Sequence, residues 1–119
     1  MKLTQTFYFE AAHTLEKRKV NCYDSLQSQN IHGHTYHAHI SINGAIKDNG
    51  MIEDFGIIAY KIERIKSMLD HQFLNNIDEL GIPTLENLCL FIAKKINLDN
   101  LCEISVERKT SGDKVTLTL

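Results

Sequence analysis

The sequence predicts an α+β fold in which a four-stranded antiparallel sheet, connected ββααββ, carries two helices on one face. Three observations lead to this prediction. Apolar residues alternate with polar ones near both ends of the chain, which is typical of half-buried strands. In the middle of the chain they recur every three or four residues, which is typical of amphipathic helices. The length of 119 residues fits one domain, 1–119, rather than two.

The first two strands are separated by a long polar segment. Residues 2–10 alternate, with Phe7 and Phe9 on one side of the strand. Residues 14–30 are polar and aperiodic, which indicates a loop, and loops of that length are often functional. From residue 34 to residue 43 the alternation returns, so this segment is predicted to be the second strand.

Two helices follow the second strand. Asp54 can cap the first helix. The apolar stripe of that helix is Phe55, Ile58, Ile62, Ile65 and Leu69. Residues 70–82 are read as a connection, and Pro83 is expected in the first turn of the second helix, where proline is tolerated. The second stripe is Leu85, Leu88, Cys89, Ile92 and Ile96.

Two further strands end the sequence. Apolar residues alternate over 102–106 and again over 115–119, and the residues around Gly112 suit a hairpin turn between them. With both helices on one face of the sheet, the other face needs cover, which another subunit could supply. Polar side chains of the second strand would then line an interior or an interface.

Composition and charge exclude several classes of function. The net charge is −2 with the histidines neutral, and the basic residues are scattered, so we expect no nucleic-acid partner. No apolar run approaches the roughly 20 residues of a membrane span, and the N-terminus has no signal-peptide core. The three cysteines form an odd, sparse set, which favours free thiols in a reducing compartment. A cytoplasmic protein without membrane contact is therefore expected.

Four of the six histidines lie between residues 32 and 39. Because successive side chains of a strand point to opposite faces, His32 and His34 share one face and His37 and His39 share the other. The first pair resembles a compact bidentate metal chelator, and His13, at the end of the first strand, is the candidate third ligand. A catalytic zinc site commonly has three protein ligands. The alternatives are a solvated His13 and, for His37 and His39, a simple polar lining of the sheet.

Two other features could carry chemistry. Asp70 and His71 follow the first helix, and a carboxylate beside an imidazole suits general acid–base catalysis. The residues alone favour the other interpretation, a polar helix end. Cys22 lies in the polar loop, where a thiolate near a metal would be reactive, whereas Cys89 and Cys102 fall on apolar stripes. A lone loop cysteine can also be incidental.

Together these residues resemble the 6-pyruvoyl-tetrahydropterin synthase / 6-carboxytetrahydropterin synthase family over nearly the whole chain. Five motifs occur in the family's order. They are Phe9-Glu10-Ala11-Ala12-His13, His32-Gly33-His34, Gly50-Met51-Ile52-Glu53-Asp54-Phe55, Leu69-Asp70-His71 with Leu74-Asn75, and Pro83-Thr84-Leu85-Glu86-Asn87-Leu88.

The resemblance implies a fold, a cofactor and an activity. The fold is the tunnelling fold, in which the sheets of several subunits join into a barrel, usually as two trimers stacked into a hexamer. Zn²⁺ would be bound by His13, His32 and His34. The small-molecule substrate would be the pterin 7,8-dihydroneopterin triphosphate, converted to a 6-carboxy or a 6-pyruvoyl tetrahydropterin. The 6-carboxy product serves queuosine biosynthesis.

The resemblance also assigns roles to individual residues. A cysteine, here Cys22, would act as base, and Asp70 and His71 would assist proton transfer. Thr84 lies in a matching motif and is assigned to substrate binding. The family anchors the pterin ring with a glutamate on the last-but-one strand, and Glu107 is the nearest candidate.

Two positions differ from the family's pattern. The family cysteine usually stands about four to six residues before His-x-His, where this chain has Leu26, Gln27 and Ser28. Aligned from Ile104 and Val106, the anchoring glutamate is replaced by Arg108, and Glu107 would point to the opposite face unless a bulge restores it.

Three functional hypotheses follow. The first is a zinc-dependent 6-carboxytetrahydropterin synthase, with the 6-pyruvoyl reaction as its variant. The second is a zinc-containing pterin-binding homologue that does not catalyse this reaction. The third is a related enzyme that cleaves the same substrate with a loop carboxylate, Glu16 or Asp24, as base.

Overall fold

The computed structural model describes residues 1–15 and 29–119. Over these ranges the β-strands and α-helices are β1 (Lys2–His13), β2 (His32–Asn43), α1 (Phe55–Leu69), β3 (Gln72–Phe73), α2 (Leu85–Ile96), β4 (Leu101–Arg108) and β5 (Asp113–Thr118). Two single 3₁₀ turns, Leu74–Asn76 and Asp78–Leu80, connect β3 to α2.

The sheet differs in one respect from the prediction of four antiparallel strands. In the described part of the chain it has five strands in the order β3-β1-β2-β4-β5, and β3 runs parallel to β1. The other pairings are antiparallel, as expected. The prediction of an entirely antiparallel four-stranded sheet is therefore wrong, because β3 contains two residues and two residues cannot display a period.

The pairing of β1 with β2 determines where the functional residues meet. Its register joins His13 to His32 and Ala11 to His34. The end of the first strand therefore lies beside the start of the second, although about twenty residues separate them in the sequence.

The core lies between one face of the sheet and both helices. Helix α1 packs against β1, and α2 packs against β4 and β5. Of the two predicted helical stripes, every residue is buried except Phe55, which is 62% exposed. Phe55 is the first residue of α1, and Gly56 and Ile57 after it are also exposed, so burial along this helix begins at Ile58. The buried hydrophobic residues of the strands are Phe7, Phe9, Ala11, Tyr36, Ala38, Ile40, Ile42, Ile104 and Val106.

Side chains cap the start of each helix. The Asp54 carboxylate accepts a hydrogen bond from the Gly56 N–H at 2.7 Å, as predicted. Helix α2 is capped by the Thr84 hydroxyl, which accepts from the Asn87 N–H at 3.2 Å. Pro83 therefore precedes the cap instead of lying in the first turn, where it was expected. Proline there still favours extended backbone ahead of the helix.

The other face of the sheet is polar. Thr6 on β1 contacts His39 on β2, and His39 contacts Glu107 on β4. His37 and His39 thus lie on the face opposite the core, as their parity predicts. Over residues 1–15 and 29–119, no helix combines the length and the apolar character needed to cross a bilayer.

Candidate metal centre

The side chains of His13, His32 and His34 converge at one end of the core face. His13 Nε2 lies 2.9 Å from His32 Nε2 and 3.1 Å from His34 Nε2. In the described part of the chain these residues form the group whose ligand atoms could hold a metal, with all three atoms within 4.8 Å of one another. The strand register brings them together, because His13 and His32 are direct partners and His34 is two residues further along.

The position of Gly33, between two candidate ligands, does not require a glycine. A Cβ at this position would lie 3.6 Å from the Ala11 carbonyl oxygen, which is ordinary contact. The close approach of the histidines therefore comes from the strand pairing itself.

Backbone carbonyls determine the tautomers of two of these rings. His13 Nδ1 lies 2.9 Å from the Pro83 carbonyl oxygen, and His32 Nδ1 lies 2.7 Å from the Asn30 carbonyl oxygen. A carbonyl can only accept, so each Nδ1 carries the proton and each Nε2 carries a lone pair. Metal-bound histidines commonly donate their second N–H to such a carbonyl.

The third ring, that of His34, contacts the guanidinium of Arg108. Arg108 Nη1 lies 3.3 Å from His34 Nε2. A guanidinium can only donate, so His34 Nε2 also presents a lone pair. Three lone pairs therefore face the same small volume, and this arrangement is repulsive unless a cation or a proton lies between them.

These donors fit a zinc ion. Two nitrogens bound at about 2.0–2.1 Å to a tetrahedral ion would lie roughly 3.3 Å apart. This is close to the 2.9 Å and 3.1 Å that separate His13 Nε2 from the Nε2 atoms of His32 and His34. Two of the candidate ligands, His34 and His13, have a lowered pKa that favours the neutral, metal-binding form. Burial, followed by the charge of Arg108, lowers the pKa of His34 to about 4. Burial is likewise the main cause that lowers the pKa of His13, against the Pro83 hydrogen bond.

A cavity of about 550 Å³ opens beside this group. Its walls include His13, Thr84, Arg108, Asp113 and Lys114. Arg108 is ion-paired with Asp113, its cross-strand partner on β5.

Tyr36 also lines this cavity. It is 1% exposed, its ring centroid lies 5.6 Å from that of His34, and its buried hydroxyl has no hydrogen-bond partner among the residues that the structure describes. Burial raises the pKa of Tyr36 to about 12, so the hydroxyl keeps its proton.

Asp70 and His71 form a pair just before β3, at the edge of the sheet beside β1. Asp70 Oδ2 lies 3.2 Å from His71 Nδ1, and the other carboxylate oxygen accepts from the Glu10 N–H at 2.9 Å. The Glu10 N–H, followed by His71, lowers the pKa of Asp70. His71 has left-handed backbone, with φ 58, and is 79% exposed at its side chain. It borders a second cavity of about 510 Å³ that His34 also lines.

The remaining predicted site residues are placed as follows. Thr84 lines the first cavity while capping α2. Glu107 lies on the opposite face, with His39 Nε2 at 2.8 Å. The irregularity in the β2–β4 pairing is at Ser41 and Ile42, far from Glu107, so it does not turn that side chain toward the histidines. Cys22 lies outside the described residues, as do Glu16, Asp24 and the positions 26–28 that precede His-x-His.

Sequence reasoning missed the contacts of Arg108 and Tyr36. The sequence could have indicated both contacts. Arg108 is an even number of residues from Ile104 and Val106 on the same strand, and Tyr36 is two residues from His34. Side chains of like parity share a face. From the sequence, Arg108 is noticed only as a mismatch to the family pattern, and Tyr36 is not singled out.

Comparison with known proteins points to one family of enzymes. The family model for 6-pyruvoyl tetrahydropterin synthase matches residues 2–117. The chain is 32% identical over 88 residues to an Archaeoglobus fulgidus protein provisionally named a 6-carboxy-5,6,7,8-tetrahydropterin synthase, a match that covers 74% of this chain and 69% of that protein. It is also 32% identical over 99 residues to the Dictyostelium discoideum 6-pyruvoyl tetrahydrobiopterin synthase, covering 76% and 73%.

A solved structure shares the fold. The structure of Caenorhabditis elegans 6-pyruvoyl tetrahydropterin synthase matches with a TM-score of 0.84 and 19% identity, and the match covers 100% of this chain and 95% of that one. At this identity the likeness concerns the fold.

Proposed function

Because this chain belongs to the 6-pyruvoyl tetrahydropterin synthase family, we propose that it is a zinc-dependent lyase acting on 7,8-dihydroneopterin triphosphate. The product we propose is 6-carboxy-5,6,7,8-tetrahydropterin, a precursor in queuosine biosynthesis. The observation that carries the proposal is the convergence of three Nε2 lone pairs beside a cavity of about 550 Å³.

The proposed roles follow from the contacts of each residue. His13, His32 and His34 would hold Zn²⁺, which when bound supplies Lewis-acid polarisation of an oxygen on the substrate side chain. Asp70, through its contact with His71 Nδ1, would orient that imidazole. His71 would then take up or release a proton at Nε2.

The choice of the 6-carboxy product rests on analogy. Relatives of about equal identity carry either name, and the Archaeoglobus protein is named for the 6-carboxy reaction. The short chain also suits that type. The variant reaction would yield the 6-pyruvoyl product.

Product analysis tests the proposal. The purified protein, loaded with one equivalent of zinc, is incubated with 7,8-dihydroneopterin triphosphate, and the pterin products are identified by mass. We expect the 6-carboxy product from the wild type and from His37→Ala, which lies on the other face, and none from His32→Ala. Stoichiometric zinc without any product from the wild type would refute the synthase function. A product of another mass would indicate a different cleavage, with Glu16 or Asp24 as candidate base.

A second candidate function has its own observation in favour. Arg108 lines the cavity, whereas Glu107 faces away from it, so the carboxylate expected to anchor a pterin is replaced by a cation. A pterin presents donors on its amino-pyrimidine edge, and an arginine does not accept from them. The missing anchor argues against turnover of a pterin bound as in the family, and so favours the alternative of a zinc-containing pterin-binding homologue without this catalysis. This second candidate function predicts that the protein binds the pterin without turnover. Binding should be unchanged in Cys22→Ala. If the wild type turns the pterin over and Cys22→Ala abolishes that turnover, the second candidate function is excluded.

We also propose that the protein is a cytoplasmic homo-oligomer, a hexamer of two stacked trimers whose sheets join into a barrel. The support is the polar sheet face with His39 and Glu107 across two strands, and the free thiols of Cys89 and Cys102. Light scattering coupled to gel filtration tests the assembly. A monomer of 13.6 kDa at micromolar concentration would refute it.

A further inference from the structure

Arg108 occupies an unusual position for a cation. Its Nη1 lies 3.3 Å from the Nε2 of His34, a candidate metal ligand, and its Nη2 is paired with Asp113. The side chain is 25% exposed and lines the cavity of about 550 Å³. A positive charge therefore lies directly beside the place where a second positive charge would bind.

Tyr36 provides an independent observation at the same cavity. Its side chain is 1% exposed, and its buried hydroxyl has no hydrogen-bond partner among the described residues. A buried hydroxyl without a partner costs about 1–3 kcal/mol, so its persistence at a cavity wall points to a ligand. Phenylalanine at this position would fill the same space without that cost.

Metal binding changes what Arg108 can contact. The lone pair of His34 that now accepts from Nη1 would be given to the ion, so Nη1 would lose its acceptor. Arg108 and a divalent ion at short range repel each other unless an anion compensates them. The cavity wall would then include two residues with an unused donor, Arg108 and Tyr36, and an excess of positive charge.

We propose that Arg108 and Tyr36 form an oxyanion-binding site that holds a carboxylate or phosphate oxygen of the ligand beside the metal. Arginine suits such groups because its N–H donors match their geometry. Asp113 keeps the guanidinium at the cavity wall through Nη2 and leaves Nη1 for the ligand.

The inference rests on the proposed function in one respect, which is that a metal occupies the histidine site. If the proposed reaction also holds, the carboxylate of a 6-carboxy tetrahydropterin belongs to the class of anion that this site would accept. The 6-pyruvoyl product has no such carboxylate, so Arg108 would bind the first product in preference to the second.

Binding of acetate to the cobalt-substituted protein tests the site without any turnover. Cobalt(II) in the histidine site gives a visible absorption band that responds to ligands near the ion, and acetate is titrated against it. The variants are Arg108→Ala, Arg108→Lys, Tyr36→Phe and, as a matched control, Lys109→Ala. Lys109 carries the same charge, is exposed and is the next residue along the chain.

We expect saturable acetate binding in the wild type. Arg108→Ala should weaken it roughly tenfold to hundredfold, the effect of losing one hydrogen bond between charged groups. Arg108→Lys should restore part of the loss, because lysine keeps the charge without the fork. Tyr36→Phe should weaken binding roughly twofold to tenfold, and Lys109→Ala should leave it unchanged.

The metal content of each variant completes the test. Arg108→Ala should retain cobalt or bind it more tightly, because it removes a repelling charge. Acetate binding that is absent in the wild type, or equal in the wild type and in both Arg108 variants, would overturn the inference. Loss of cobalt from Arg108→Ala and Arg108→Lys alike would also overturn it, since Arg108 would then support the metal ligands. Failure of the synthase assay leaves these readouts intact, so the two proposals can fail separately.

Discussion

The metal-free protein should lose stability between pH 7 and pH 5, and His34 should cause part of that loss. In the folded chain, burial and then the charge of Arg108 hold the pKa of His34 at about 4, below its ordinary value of 6.5. In the unfolded chain the ring protonates near pH 6.5. As the pH falls through this window, His34 binds a proton in the unfolded state but not in the folded state, so the free energy of unfolding decreases. Above pH 7 both states are neutral and His34 contributes nothing.

The magnitude follows from the two pKa values. With 6.5 in the unfolded and about 4 in the folded chain, linkage gives a loss of about 2 kcal/mol between pH 7 and pH 5. His34 is partly exposed, so solvent screening reduces this to about 1 kcal/mol. His13 acts in the same direction, because its pKa is also lowered in the folded chain. The acidic groups contribute little in this window, since they are still ionised at pH 5 in both states.

Urea unfolding of the chelator-treated protein at pH 7 and at pH 5 measures the effect. His34→Gln cannot take up the proton, so its loss of stability over this interval should be about 1 kcal/mol smaller than that of the wild type. Arg108→Gln removes the second cause of the pKa shift and should reduce the loss by a smaller amount. If His34→Gln loses as much stability as the wild type does, or if the wild type is equally stable at both pH values, the reasoning about the His34 environment is refuted.

Three further predictions concern the metal, the core and a helix end. His32→Ala should lower the bound zinc measured by mass spectrometry at least tenfold, and His37→Ala should not; equal losses would contradict the assignment of the two pairs to opposite faces. Leu88→Ala should lower the free energy of unfolding by about 2–5 kcal/mol, because Leu88 is 0% exposed; a change below 1 kcal/mol in urea unfolding would show that the core collapses around it. Asp54→Ala should lower it by about 0.5–2 kcal/mol through loss of the cap on Gly56, and Asp54→Ser should recover most of this in the same assay.

Most of the fold could be predicted, because residues that are buried at regular intervals along a helix or strand appear as apolar residues at the same intervals in the sequence. The stripes from Ile58 to Leu69 and from Leu85 to Ile96 are buried as their spacing indicates. The expectation for Phe55 is wrong because periodicity indicates which side of a helix is apolar but not whether the first residue of the helix reaches the core. Strand β3 was missed because it is held by pairing with Ala11 and Ala12, a tertiary interaction without any sequence period.

The candidate metal centre could be predicted in part. Parity separates His32 and His34 from His37 and His39 with no knowledge of the fold. Adding His13 needs the register of β1 against β2, which the sequence suggests but does not determine. The tautomers depend on the carbonyls of Pro83 and Asn30, and backbone groups of loops cannot be located by residue type.

The last strand pair shows how one residue of register changes the chemistry of a site. Glu107 and Arg108 are neighbours, yet β4 is regular here, so one side chain contacts His39 on the polar face and the other contacts His34 in the core-side cavity. A one-residue bulge would exchange a cation for a carboxylate beside the histidines. The family position that holds a glutamate therefore presents a donor in this chain, and the ligand that fits it must supply an acceptor. Acetate titration of the Arg108 variants tests whether this position binds an anion. Product analysis of the wild type tests whether the same site converts the pterin.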